Sequence, residues 1–444
     1  MNILEIIVKI IDFDSAILYN FLNTDKYNSK NLLNYISILY LLNNNCKNKH
    51  LKLLKNIKIL LLPNNNNITD RGLKYIPNIY NLELANSYKI TNLGLNYISN
   101  VNILNLSENK NISDEGLKNI PNIHTLYLDN NMNITDKGLQ YINNIHSLYL
   151  NSNINITNIG LKYISNINTL YINGNYNFSN KELKYIQNIK SLTINKSNIT
   201  DDGLKYISNI HILDLGSSHI TNIGLKYISN ILKLYLDNDK IITNDGLFYL
   251  KNIHTLSLYS NNNITDDGLK YLKNIHTLEL NNNNNITDDG LKYIKNIHTL
   301  KLNNNNNITD NGLKYIKNIH TLELNRNNNI TDKGLKYISN IHTLELINNK
   351  KITDDGLKYI SNIHTLKIIC SKNITNEGLK YIPNIRILNL YKKKFNSVGI
   401  RFYCIFNNLS KYQDLIKEDI NLARIIQNGK KYIPKIESFC YVIN

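Results

Sequence analysis

No stretch of this chain reaches the roughly 18 uninterrupted apolar residues of a membrane span. Its first turns carry Glu5, Lys9 and Asp12, where a secretory segment would have to be apolar. The expectation is an intracellular chain, cytoplasmic or nuclear. Cysteine is sparse: Cys46, Cys370, Cys404 and Cys440 are widely scattered, with no Cys-x-x-Cys, which gives neither a disulfide framework nor a zinc signature and fits a reducing compartment. Motifs that carry chemistry are missing too. No Gly-rich phosphate loop, no nucleophile with its base and no carboxylate pair separates from the background, so the chain reads as no enzyme and as needing no cofactor or metal. Tryptophan is absent, Ala and Arg are scarce, and Asn makes up about a fifth of the residues. AT-rich codons produce that profile, so on composition alone most of the Asn runs and part of the basic charge read as mutational bias.

What is present is a chain that should fold. It has 444 residues, 51 Lys and Arg against 34 Asp and Glu for a net charge of +17, and a 42% hydrophobic fraction, which is ordinary for a globular protein. Its length exceeds the roughly 250 to 300 residues that one hydrophobic core supports, so it must hold several domains or a repeat array. Internal periodicity decides for the array. The Gly of Ile-Thr-x-x-Gly recurs at Gly72, Gly94, Gly116, Gly138 and Gly160, and again from Gly203 to Gly378. The spacing is 22 residues almost throughout, and Leu-x-Leu centres from Leu60/Leu62 to Leu388/Leu390 number 16 units.

Each unit has two halves. In Thr299-Leu300-Lys301-Leu302-Asn303, apolar and polar residues alternate, the period of a strand with Leu300 and Leu302 on its buried face. After the Asn run, Thr309 and Asp310 supply N-cap chemistry, and Leu313, Ile316 and Ile319 recur at three-residue spacing, predicting a short helix or 3₁₀ turn. One unit cannot bury these side chains alone; stacked copies can. At Ser179-Asn180-Lys181-Glu182 the Gly is replaced, which predicts a capping box and shows that the position tolerates a side chain. The usual Gly is then explained by close approach of the neighbouring coil or by composition, rather than by an obligatory left-handed φ.

The pattern Ile297, Leu300, Leu302, Asn305, Ile308 resembles that of the leucine-rich repeat family, and its continuation is similar to the cysteine-containing subclass of F-box/leucine-rich-repeat proteins, with Asn where that subclass often has Cys. The resemblance covers roughly Leu51 to Ile400. It implies an α/β solenoid: a leucine-rich repeat horseshoe with a parallel sheet on its concave side and short convex helices or 3₁₀ turns. It also implies that the Asn column, among it Asn109, Asn131, Asn153, Asn175, Asn283, Asn305 and Asn327, hydrogen-bonds backbone groups between turns, which an amide can do as donor and acceptor. Ser87, Ser197, Ser218, Asp239, Ser371 and Lys393 interrupt that column.

Three surfaces could do work. Between the inward leucines the outward residue varies while its frame does not, as a binding face would, although drift at a merely soluble position gives the same pattern. In that column Tyr127, Tyr149, Tyr171 and Tyr235 are aromatic, and Glu279, Lys301, Glu323, Glu345 and Lys367 form a mixed-charge section. These nine are the candidate contacts for a protein partner, against the alternatives of a tyrosine ladder that stabilises the sheet and of cross-rung charge pairing. A histidine column, His254 to His364 with His124 and His146 before it, reads as tandem duplication rather than as a metal site, with a pH response through repulsion between protonated rings. On the helical side a Lys column, usually followed by Tyr, is the footprint of nucleic-acid or anionic-surface contact. Asp residues on the same turns offset it, so the bland reading is a solvated convex face and nucleic acid is not the expected partner.

The ends leave the repeat. Residues 1–50 read as a helical cap or as a degenerate F-box-like segment, since Leu4-Glu5-Ile6 followed by Ile10 is similar to that family's opening; the resemblance implies recruitment of a Skp1-like partner and of a ubiquitin ligase. Residues 51–400 form the array. Residues 401–444 read as a helical C-terminal cap carried by Leu409, Tyr412, Leu415, Ile416, Ile420 and Ala423. The leading expectation is a non-catalytic protein-interaction scaffold, and the alternative is an F-box-type adaptor.

Overall fold

The computed structural model describes residues 38–40, 46–391, 401–405 and 440–442, apart from 175–178, 196–197, 217–218, 237–240, 370–372, 376 and 384. The chain divides into two compact units, Met1–His219 and Ile220–Asn444. Both are built from the same coil.

In the first unit nine strands lie parallel: β1 (Ile38–Tyr40), β2 (Ile59–Leu61), β3 (Asn81–Glu83), β4 (Ile103–Asn105), β5 (Thr125–Tyr127), β6 (Ser147–Tyr149), β7 (Thr169–Tyr171), β8 (Ser191–Thr193) and β9 (Ile212–Asp214). Register is set by the leucines, since Leu60 stands beside Leu82, Leu82 beside Leu104, and so on to Leu213. In the second unit β10 (Lys233–Tyr235), β11 (Thr255–Ser257), β12 (Thr277–Glu279), β13 (Thr299–Lys301), β14 (Thr321–Glu323), β15 (Thr343–Ile347), β16 (Thr365–Ile369) and β17 (Ile387–Tyr391) repeat the arrangement.

The coil from Thr299 shows why these residues adopt this form. Leu300, Leu302, Ile308, Leu313 and Ile316 are fully buried, and Ile319 is 2% exposed, so the period-2 strand and the three-residue helical spacing aim at one interior. Thr309 caps the helix Asp310–Leu313, its Oγ1 accepting the Asn311 N–H, and a 3₁₀ turn Lys314–Ile316 follows. A slip of one residue in the strand would expose both leucines, which is why every rung keeps the same register.

The array reaches back beyond residue 51. Strand β1 pairs in parallel with β2, Leu39 beside Leu60, and Cys46, buried, stands 22 residues before Ile68 in the same column. Burial holds the Cys46 thiol up at about 12, so it acts as a small apolar filler. The Leu4–Ile10 match lies outside the described residues. At the other end residues Arg401–Ile405 and Cys440–Val442 form strands β18 and β19, antiparallel to each other, where a helical segment was expected; β18 also runs antiparallel to β17. The helix expected over 409–423 lies outside the described residues.

The glycine column confirms the steric reading. A Cβ at Gly312 would lie 2.4 Å from Asp288 Oδ1 of the preceding coil, and the same collision recurs through the column. The capping box at Ser179 does not form. The Ser179 hydroxyl donates to Glu182 at 2.5 Å, leaving the N-cap without a side-chain bond, and the whole segment Asn180–Ile186 is a 3₁₀ helix. Burial works to raise the Glu182 carboxyl, but the bonds from Ser179 and Asn158 outweigh it and the net shift is downward.

The Asn runs are not merely compositional. In Asn303–Asn307 the first residue donates its N–H to Asn281 Oδ1. The second takes a left-handed φ of 59°, which Asn tolerates better than most residues. Asn305, fully buried, donates its N–H to Asn327 Oδ1 and its amide to the Leu280 carbonyl. Asn307 donates to the Asn284 carbonyl. The expected bonding of the Asn column between turns is therefore present in this coil, and in Asn109, Asn131, Asn283, Asn327 and Asn349 as well. Asn175 and five of its interruptions, Ser197, Ser218, Asp239, Ser371 and Lys393, lie outside the described residues, while Ser87 is buried in the column.

Candidate functional site

Strand alternation leaves one outward residue between each pair of buried leucines, and parallel in-register pairing puts successive ones beside each other. Tyr127, Tyr149 and Tyr171 are therefore neighbours on β5, β6 and β7. Their rings stack, with centroids 4.1 and 4.4 Å apart and planes 17° and 14° from parallel. All three are half-buried, because each ring covers the next. Tyr149 sits in the middle, and its phenol is pushed up, by burial first and by the adjoining phenols and Asp129 after it. Tyr235 belongs to the second unit and stands beside Ser257, so its rung neighbour on β11 is not aromatic.

The mixed-charge section comes together in the second unit. Lys301 Nζ lies 2.8 Å from Glu279 and 3.6 Å from Glu323, and Lys367 Nζ lies 2.9 Å from Glu345. Burial works to lower the Lys301 ammonium, but the two carboxylates outweigh it and hold it above the usual lysine range. Glu345 also accepts from the Asn325 amide at 2.9 Å. The five side chains thus answer one another across the rungs.

Beside this face the histidines of the second unit form one stack. From His254 to His364 the ring centroids are 4.3 to 4.5 Å apart, and each Nδ1 contacts the hydroxyl of the following Thr at 3.0 to 3.3 Å. Parallel rings at this spacing direct their outer nitrogens side by side rather than toward one point about 2.0 Å from each, as a metal would require. No group of three or more His, Cys, Asp or Glu able to hold a metal occurs among the described residues.

On the helical side the Lys column leans on its own surroundings. Lys292 Nζ is 2.5 Å from Asp289 and 5.3 Å from the centre of the Tyr315 ring, and Lys358 is 2.5 Å from Asp355 and 4.8 Å from Tyr381. The Asp residues that precede this pair serve the stack. Asp310 Oδ1 accepts the Thr331 N–H at 2.8 Å and Oδ2 its hydroxyl at 2.6 Å, and Asp70, Asp114, Asp136, Asp266, Asp288, Asp332 and Asp354 repeat both bonds.

The Leucine Rich repeat family model matches residues 97–120, 185–208, 206–229, 249–273, 271–295, 293–317 and 315–339. These segments carry leucine-rich repeats. No curated protein sequence matches it. The leucine-rich repeat coils are similar in structure to the TLR13–ssRNA13 complex, at 15% identity over 81% of this chain and 65% of that one, with a TM-score of 0.52. They are also similar to the mouse RP105/MD-1 complex, at 15% identity over 76% and 67%, with a TM-score of 0.50. The yeast Rad7 and Elc1 complex matches at 18% identity over 74% and 89%, with a TM-score of 0.47. At such identities the likeness is one of fold. No described helix is long and apolar enough to cross a membrane.

Two features of the leucine-rich repeat face escaped the sequence reading. One is the third outward position, two residues beyond the tyrosine column, where Asp129 adjoins the ring stack; continuing the period-2 alternation past Leu128 finds it. The other is the Asp-to-Thr bonding, whose partners lie 21 residues apart. Its trace in the sequence is the Asp or Asn held two residues before nearly every Gly.

Proposed function

We propose that this chain is a non-catalytic scaffold that binds a protein partner on the outward face of its leucine-rich repeat sheet, with Tyr127, Tyr149 and Tyr171 as the anchoring contacts and Tyr235 and the Glu279–Lys367 section as further contacts. One observation carries the reading: a ring stack stands half-exposed on a frame whose flanking leucines are at most 1% exposed. Stacking fixes the rotamers before a partner arrives, so little side-chain entropy is lost on binding, and large amphipathic rings supply most of the energy of typical interfaces. The frame needs no aromatic there, since the same position holds Asn105, Thr193 and Ser257 in other coils. The test is a pull-down from native lysate with the triple variant Tyr127→Ala, Tyr149→Ala, Tyr171→Ala, its fold checked by circular dichroism. Loss of the main captured protein is expected; unchanged capture by a folded variant rejects the site.

A further inference from the structure

The whole chain is strongly basic, yet the sheet face of the first unit is not. The two outward positions of β2 through β9, with the one two residues beyond, hold three carboxylates, Glu83, Asp129 and Asp214, and no Lys or Arg. Among the described residues of the second unit, the carboxylates at the corresponding positions are paired with lysines, Glu279 and Glu323 with Lys301 and Glu345 with Lys367. Glu83 and Asp129 have no such cation among the described residues. Neutral donors hold them instead: Glu83 accepts from the Ala85 N–H at 3.0 Å and the Asn105 amide at 2.7 Å, and Asp129 accepts from the Asn151 N–H at 2.8 Å. These bonds aim the carboxylates without balancing their charge. Burial pushes both carboxyls up, as happens where a half-buried anion lacks a counter-charge.

We propose that the occupant of this face is a Lys- or Arg-rich peptide segment of a partner protein, its aliphatic stems lying along the Tyr127–Tyr149–Tyr171 stack and its cations meeting Glu83 and Asp129 as Lys301 meets Glu279 in the second unit. The proposal rests on the reading that the face binds a protein, and adds the chemistry of what is bound. The stack is suited to this, because the ring surface left uncovered by stacking offers apolar carbon to Lys and Arg stems, and the phenol oxygens can accept from their cations. A chain of charge +17 repels polycations as a whole, so their attachment would report the local field of this face rather than bulk charge.

The test measures fluorescence anisotropy of labelled nona-lysine, nona-arginine and nona-glutamate peptides with the full chain at physiological salt. The cationic peptides are expected to bind and the glutamate peptide not to. The double variant Glu83→Gln, Asp129→Asn keeps the shape of both side chains and is expected to weaken binding about tenfold, two partly exposed ion pairs at about 0.7 kcal/mol each. Glu115→Gln, on the helical side and paired with Lys118, should leave it unchanged. Equal binding by the wild type and the double variant, or preference for the glutamate peptide, overturns the proposal, as does sedimentation showing that the carboxylates govern pairing of two copies of the chain. If the triple tyrosine variant loses its natural partner while the double carboxylate variant retains it, the face reading stands and the cationic occupant falls. Normal capture by the tyrosine variant rejects the face itself.

Discussion

Lowering the pH should loosen the second unit through its histidine stack. His276, His320 and His342 are held below the ordinary imidazole range, by burial first and then by neighbouring histidines. A depressed folded value means that the unfolded chain takes up protons more readily, so the stability these groups contribute is complete above about 6.5 and is lost as pH falls below it. The size follows from the spacing. Two unit charges about 4.4 Å apart repel by about 1 kcal/mol in a water-like dielectric, and by about half that at 0.15 M salt, where the screening length is about 8 Å. Five neighbouring contacts join the six rings, so full charging would cost about 2 to 3 kcal/mol at that salt. The assay is urea unfolding at pH 7.5 and 5.5, compared with the variant His276→Asn, His320→Asn, His364→Asn, which leaves no two imidazoles adjacent. Asn already occupies this column at Asn102 and Asn168, so the replacement suits the coil. The wild type should lose at least 1 kcal/mol more than the variant over that interval, and the difference should shrink in 1 M salt. Equal pH slopes would show that the rings accept charge without cost and that the repulsion argument is wrong.

Further expectations concern the coil itself. Asp310→Ala removes two bonds to Thr331 and should cost about 1 to 2 kcal/mol, whereas Asp310→Asn should cost under about 0.5 kcal/mol, because Asn244 already bonds the N–H and hydroxyl of Thr265; thermal melts of both variants check this. Gly312→Ala forces a methyl against Asp288 Oδ1 and should destabilise by about 1 to 3 kcal/mol, with partial relief when Asp288 is changed to Ser, read as non-additivity in a double-mutant cycle. Arg326 holds a φ of 57° where three other coils of its unit have Asn, so Arg326→Gly should stabilise by about 1 kcal/mol in urea unfolding. Leu300→Ala, at a fully buried site, should cost about 3 to 4 kcal/mol by the same measurement.

What could be read along one coil was legible before any coordinates. Leu300 and Leu302 alternate, Leu313 and Ile316 follow at three-residue spacing, and all four lie inside because the rules that place them act within about twenty residues of chain. The start of the array was placed too late for a related reason. Cys46 and Asn48 replace the customary Ile and Asp, so a search for identical letters ends at 51 although the strand at 38–40 already pairs with the next coil. Asn48 meets Thr69 with the same two bonds that Asn244 makes to Thr265, so the chemistry persists after the letters change.

Interactions between coils are harder to see, because in a repeat each residue's neighbour is another copy of itself. The His stack could be anticipated, since identical residues on adjacent rungs must face one another. The Asp310–Thr331 bonds could not be read from a column of identical letters, as they join different columns across a coil boundary. The Asn runs concealed a second difficulty. Chain-wide enrichment in Asn and four separate demands for it in each coil produce the same composition, and only φ at Asn304 and the partners of Asn303, Asn305 and Asn307 tell them apart. The outward face follows the same logic in reverse. Its frame is set by burial and therefore repeats, while nothing inside the coil dictates Tyr127 or Asp129. A residue that the fold leaves free is where a partner can impose its own chemistry, and Glu83 and Asp129, without a paired cation among the described residues, are the ground for proposing a cationic one.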